Sequence, residues 1–108
     1  MKTLQEILAQ EQVRGVDVFE PGFSQLYVRW GWRVIDGKPV SSVLTIAAVT
    51  AECPGRGTFT RLLNRLYRDG IHIQVDGVGD QLKKRLVTMG FLPVGDHALD
   101  SFHRPPKK

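Results

Sequence analysis

The segment Glu52-Cys53-Pro54-Gly55-Arg56-Gly57-Thr58 constrains this chain more than any other. It joins a run that is apolar on both faces, residues 44–49, to a strongly amphipathic helix. Phe59, Leu62, Leu63, Leu66 and Tyr67 form an i, i+3, i+4, i+7, i+8 stripe, while Arg61, Arg65 and Arg68 line the other side, and Gly70 stops the helix. A buried strand that passes through two glycines into such a helix predicts a sheet covered by helices, an α/β (α+β) class. The 108 residues leave room for one domain, set at residues 1–103, with 104–108 expected to fray as a tail.

The flanking segments read as short elements. Thr3-Leu4-Gln5-Glu6 fits a capping box, and Leu4, Ile7 and Leu8 repeat at helical spacing, so a helix is expected over residues 4–12. Residues 16–19 suggest a short strand closed by Pro21-Gly22. Residues 24–35 alternate Leu26, Val28 and Trp30 with Tyr27 and Arg29, and Gly31 marks a candidate bulge. Asp36-Gly37-Lys38-Pro39 predicts a hairpin turn into a second arm at 40–50. Residues 71–75 alternate as a strand, with His72 and Gln74 opposite Ile71, Ile73 and Val75. Asp80 is a plausible N-cap for a helix over 81–89 that buries Leu82, Leu86 and Met89 and stops at Gly90. Two last strands, 91–94 and 98–103, are expected around Gly95-Asp96.

The chemistry concentrates in Gly55-Arg56-Gly57. The start of a helix leaves its first N–H groups without internal partners, and the helix dipole adds partial positive charge there. Arg56 and Arg61 add whole charges, so the place favours phosphate or diphosphate. The plain alternative is a tight strand-to-helix turn. The Rossmann pattern needs a third glycine, but Thr58, Phe59 and Thr60 come after Gly57, and the Gly-Lys-Ser/Thr of a P-loop is absent.

Residues 49–63, from Val49 through Gly55-Arg56-Gly57 to Leu62-Leu63, resemble the central motif of the GCN5-related N-acetyltransferase (GNAT) family, with both glycines in register. The strand at 71–75, the helix at 81–89 and Gly90-Phe91 match the downstream elements of that family, so the resemblance covers about residues 40–95. It implies a mixed, mostly antiparallel twisted sheet flanked by helices, abbreviated at the N-terminus. It also implies acyl-coenzyme A binding, with acetyl-CoA or CoA as co-substrate. Gly55, Arg56, Gly57 and Thr58 would grip the diphosphate; Val49 and Ala51 would line the pantetheine arm, with the Val49 N–H near the thioester carbonyl. The implied activity moves an acetyl group to an unknown amine.

The chain also departs from the family. Glu52 stands at a Gln/Arg position and Pro54 at an Arg position; Leu86 aligns with a frequent Tyr and Gly79 with a frequent Asn. The strand at 43–49 carries no carboxylate, so Asp76 and Glu52 remain as candidate bases and the catalytic residues are otherwise unassigned. These departures support the alternative of a catalytically inactive protein-binding or regulatory module. Short chains of this kind occur among bacterial and phage proteins.

Composition narrows the rest. With 42% apolar and 24% charged residues, disordered and low-complexity classes are excluded. No apolar run approaches a membrane span, and Gln5, Glu6, Gln10 and Glu11 interrupt any signal-peptide core. A lone cysteine staples nothing, and a cytoplasmic location is expected. Cys53 itself reads as a small buried residue, with a reactive thiol as the other option. His72, His97, His103 and Cys53 lack metal-ligand spacing, so no metal is expected and each histidine reads as a surface or strand residue.

The net charge of +4 is uneven: residues 1–54 carry five Lys/Arg against six Asp/Glu, and residues 55–108 carry ten against five. The basic half suggests an anionic partner. Arg61, Arg65, Arg68 and Lys83-Lys84-Arg85 suit solvated helix faces or the 3′-phosphate of coenzyme A. Nucleic acid is disfavoured as partner, because aromatics are not interleaved with these residues and no helix-turn-helix surrounds them. Phe23, Tyr27, Trp30 and Trp32 read mainly as core; any that face outward would suit a protein partner or a homodimer.

Overall fold

The Thr3 hydroxyl accepts from the Glu6 amide at 3.3 Å, and the Glu6 carboxylate accepts from the Thr3 amide at 3.2 Å, so the capping box nucleates α1 (Leu4–Leu8). The helix stops short of the expected residue 12. The Gln10 carbonyl turns aside to accept the Trp30 indole N–H at 2.7 Å, and the chain enters β1 (Val13–Asp17). The computed structural model describes residues 1–94 and 100–106. Its further elements are β2 (Phe23–Ile35), β3 (Lys38–Ala51), α2 (Thr58–Arg68), β4 (His72–Val75), α3 (Asp80–Thr88), β5 (Leu92–Pro93) and β6 (Phe102–Arg104).

The six strands form one sheet in the order β1-β2-β3-β4-β6-β5, with β3 and β4 parallel and every other pair antiparallel. The protein is therefore a mixed α+β fold with a mostly antiparallel sheet. Asp36 and Gly37, at φ 53° and 76°, make the tight turn that the right-handed twist of β2 and β3 requires. α2 carries the chain back so that β4 starts parallel to β3, pairing Val43 with His72 through Ile46 with Val75.

Several boundaries differ from expectation. The first strand spans Val13–Asp17 rather than 16–19, because its register slips between Val13 and Val16 and the bulge hides the alternation. Gly79, in extended conformation, precedes α3, and Asp80 is its first residue rather than its cap. Arg104 belongs to β6, one residue into the segment expected to fray, and its guanidinium lies 3.6 Å from the Tyr67 ring centroid. The expected Gly95-Asp96 turn and residues 98–99 of the last expected strand lie outside the described residues.

One apolar core joins Leu4 and Ile7 of α1, Leu62, Leu63 and Leu66 of α2 and Leu86 of α3 to Leu26, Val28, Leu44, Ile46, Ile73, Val75 and Phe102 of the sheet. Phe59 and Tyr67, at the ends of the α2 stripe, are half-buried, as are Leu82 and Met89 of α3. Among the described residues, no helix is long and apolar enough to cross a membrane.

Candidate functional site

Strands β3 and β4 stay paired only from Val43 to Ile46. The Ile46 carbonyl accepts the Asp76 amide at 3.0 Å, and there β4 ends while β3 runs on to Ala51. The parting coincides with a bulge. Val28 pairs with Ile46 and Tyr27 with Ala48, so Ala47 is an extra residue in β3. Beyond it the chain alternates again. The Glu52 amide donates to the Gly22 carbonyl at 2.9 Å, toward the β2 side. The main-chain groups of Val49 and Ala51 therefore point to the opposite edge, which β4 has left. Both residues are half-buried.

The next loop brings the other expected residues to the start of α2. Gly55 and Gly57 have φ of 83° and 72°, the left-handed region that L side chains avoid, so the glycines are required by the path of the backbone. A side chain added at Gly55 would meet nothing within 4 Å, so the space above it is open. Gly57 caps α2 without any side-chain bond, and the first turn contains no acidic residue. Among the described residues, the amides of Gly57, Thr58, Phe59 and Thr60 have no acceptor outside the helix, and as its first donors they have none within it. The main-chain bonding of the turn begins with Arg61 N–H to the Gly57 carbonyl, 3.0 Å. Gly55 and Arg56 are exposed; Gly57 and Thr58 are half-buried.

Positive charge collects beside these amides. Arg61 folds back so that Nη1 donates to the Arg56 carbonyl at 2.7 Å. With Arg65 and Arg68 it lines a cleft of about 480 Å³ that also includes Glu20, Gly22, Phe23 and Thr58. Glu20 neutralises Arg65 through a 3.1 Å ion pair. The turn at Pro21-Gly22 takes part in a way its sequence did not signal. A side chain on Gly22 would come within 2.8 Å of the Thr58 methyl, so this glycine lets the β1–β2 turn sit against the helix start. Cys53, expected to be buried, is exposed.

A second set of polar groups lies across β3, β4 and β6. Thr45, Gln74 and His103 are register partners across the three strands and are buried, as is His72. His72 Nε2 and His103 Nδ1 lie 2.9 Å apart, so one proton bridges the two rings. His72 and His103 are thus strand residues, as one of the two expected readings has it, but buried and not at the surface; His97 lies outside the described residues. Gln74 Nε2 donates to Asp76 Oδ1 at 2.9 Å, which orients the half-buried carboxylate at the point where β3 and β4 part. Among the described residues, no group of three or more His, Cys, Asp or Glu is arranged to hold a metal.

Burial pushes both imidazoles below their ordinary pKa. The neighbouring ring adds to this at His72, whereas the Asp36 charge offsets part of it at His103. The unfolded chain then binds protons that the folded chain refuses, so stability rises with pH between the folded values and about 6.5. Thermal unfolding from pH 7.5 to 5.5 should show the midpoint falling as pH falls, with a shallower slope in His72→Asn. Equal slopes would contradict this account.

Comparison with family models, with curated proteins and with solved structures gives no match to this chain.

Proposed function

We propose that this chain is a GNAT-type protein that binds acyl-coenzyme A and transfers its acetyl group to an amine. The observation that carries the reading is the coincidence, at one end of β3, of a strand edge that β4 leaves and a helix start whose amides lack acceptors among the described residues. The diphosphate would lie on the amides of residues 57–60, with Gly55 and Arg56 beside it. The pantetheine arm would run along Val49 and Ala51, extending β3 on the edge that β4 leaves. Arg61, Arg65 and Arg68 would face the 3′-phosphate from their cleft.

In the transfer, the amine nitrogen attacks the thioester carbon, whose oxygen draws on the Val49 N–H. The C–S bond breaks and the thiolate leaves. Asp76 is the candidate base for the amine proton, because it stands where the strands part and Gln74 orients it. The alternative, Glu52, lies in the exposed loop before Gly55. Leu86, which aligns with the tyrosine that supplies a proton to the thiolate in many members of the family, is fully buried in the apolar core, so solvent would protonate the leaving group here. That same burial favours a second reading, a non-catalytic module on the same fold. We assign the protein to the cytoplasm, where acetyl-CoA is at hand.

Acetyl-CoA at 1 mM should raise the melting temperature if the site binds with a micromolar dissociation constant, since about 4 kcal/mol is gained when ligand exceeds Kd a thousandfold. Release of free thiol with an amine present then separates the transferase from the inactive module. An unchanged midpoint at 1 mM would overturn the coenzyme reading and leave the non-catalytic module.

A further inference from the structure

Three arginines from the half of the chain with no net positive charge converge on one cleft. Arg14 of β1 and Arg29 and Arg33 of β2 line a depression of about 270 Å³ together with Trp32 and Gly31, and among the described residues no carboxylate lines it. Three other arginines are engaged: Arg65 pairs with Glu20, Arg61 holds a carbonyl and Arg104 covers Tyr67. Among the described residues, the guanidinium groups of Arg14, Arg29 and Arg33 make no hydrogen bond or ion pair. Guanidinium groups gathered without a counter-charge repel one another, and such a field selects an anion.

The local backbone builds this arrangement. Trp30 is buried and tethered through its indole N–H to the Gln10 carbonyl, which anchors the floor. Gly31, at φ 139°, lets β2 pass close to Gln12, whose Cγ would lie 3.0 Å from any added side chain. Trp32 comes immediately after and is 60% exposed, so its indole is open to a partner ring. β1 is the edge of the sheet, so the cleft opens at its rim.

We propose that the cleft formed by Arg14, Arg29, Arg33 and Trp32 binds single-stranded nucleic acid, with the guanidinium groups on separate phosphates and a base stacked on Trp32. Arg29 and Arg33 are four residues apart on one strand, about 13 Å at the rise of extended chain, and Arg14 lies on the neighbouring strand. That spread suits an extended polyanion better than one phosphate group. The exposed indole among the arginines supplies what the basic helices α2 and α3 lack, an aromatic platform interleaved with charge. The site shares no residue with the proposed coenzyme site, so either can fail alone.

The test is a titration of fluorescein-labelled fifteen-residue oligothymidylate with the full chain, read by anisotropy and by tryptophan emission. The expected result is saturable binding with quenching of Trp32. Log affinity should fall against log salt with a slope of about −2, as three phosphate contacts on a single strand require. Arg29→Ala with Arg33→Ala should weaken binding at least about tenfold and flatten that slope. Trp32→Ala should weaken binding about tenfold and leave the slope unchanged. Gly57→Glu should bind the oligonucleotide as the parent does. The proposal is overturned by no saturation at 50 µM protein, by equal affinity for duplex, by competition from thymidine monophosphate at equimolar nucleotide, or by unaltered binding in the arginine and tryptophan variants.

Discussion

A Gly57→Glu protein should show no measurable heat with acetyl-CoA at concentrations that saturate the parent, a loss of about a hundredfold or more in affinity. The residue sits at φ 72°, and an added side chain would start 3.4 Å from Arg61 Nη1. The new carboxylate would cap the amides of the first α2 turn from within the molecule and place a negative charge where the diphosphate must lie. Like charges forced together at a binding surface cost several kcal/mol, and a hundredfold is about 2.7 kcal/mol. The helix itself should persist: the left-handed backbone costs the new residue about 1–2 kcal/mol, which the favourable charge at the helix start offsets in part. Circular dichroism should therefore match the parent while the binding heat disappears. Parent-like affinity in the variant would place the coenzyme elsewhere.

Leu63→Ala should lower stability by about 3–5 kcal/mol, measured by urea unfolding. Leu63 is fully buried beneath α2 in the core that includes Leu44, Ile46, Ile73 and Val75. Truncation removes buried methyl groups and leaves a cavity that the sheet cannot close. A chain of this size holds about 5–15 kcal/mol in total, so the loss is a large share of it, and the melting temperature should fall by more than about 10 °C. Val87→Ala, on the exposed side of α3, should change stability by less than about 0.5 kcal/mol by comparison. A small effect at Leu63 would mean that α2 is not docked on the sheet as described.

Much of this architecture was legible in the residues because local rules agreed. Thr3 and Glu6 announced their own capping box, and Leu62, Leu63 and Leu66 announced the buried side of α2. Asp36-Gly37 announced the turn between the two long strands. What escaped depended on pairing between distant segments. Nothing in Val13-Arg14-Gly15-Val16 shows that it forms a bulged strand at the edge of the sheet. Nothing in the alternation of residues 71–75 shows that His72 will meet His103, because that contact needs β4 and β6 side by side. The two glycines of the loop were visible, but their reason lies in backbone conformation, since a side chain at Gly55 would meet only open space. Gly22 looked like an ordinary turn glycine, which its φ of 92° makes it, and is the seat of Thr58 as well. Counting charge over the first half of the chain concealed Arg14, Arg29 and Arg33, whose grouping exists only once β1 and β2 pair.

The central claim is that main-chain amides at the start of α2 receive a diphosphate beside a strand edge left open by β4. Amide-resolved NMR during titration with coenzyme A reads those groups individually. The account predicts that the Gly57, Thr58, Phe59 and Thr60 amides shift together with that of Val49, and that all five saturate at one ligand concentration. Saturating coenzyme A that leaves these five amides unmoved would contradict it.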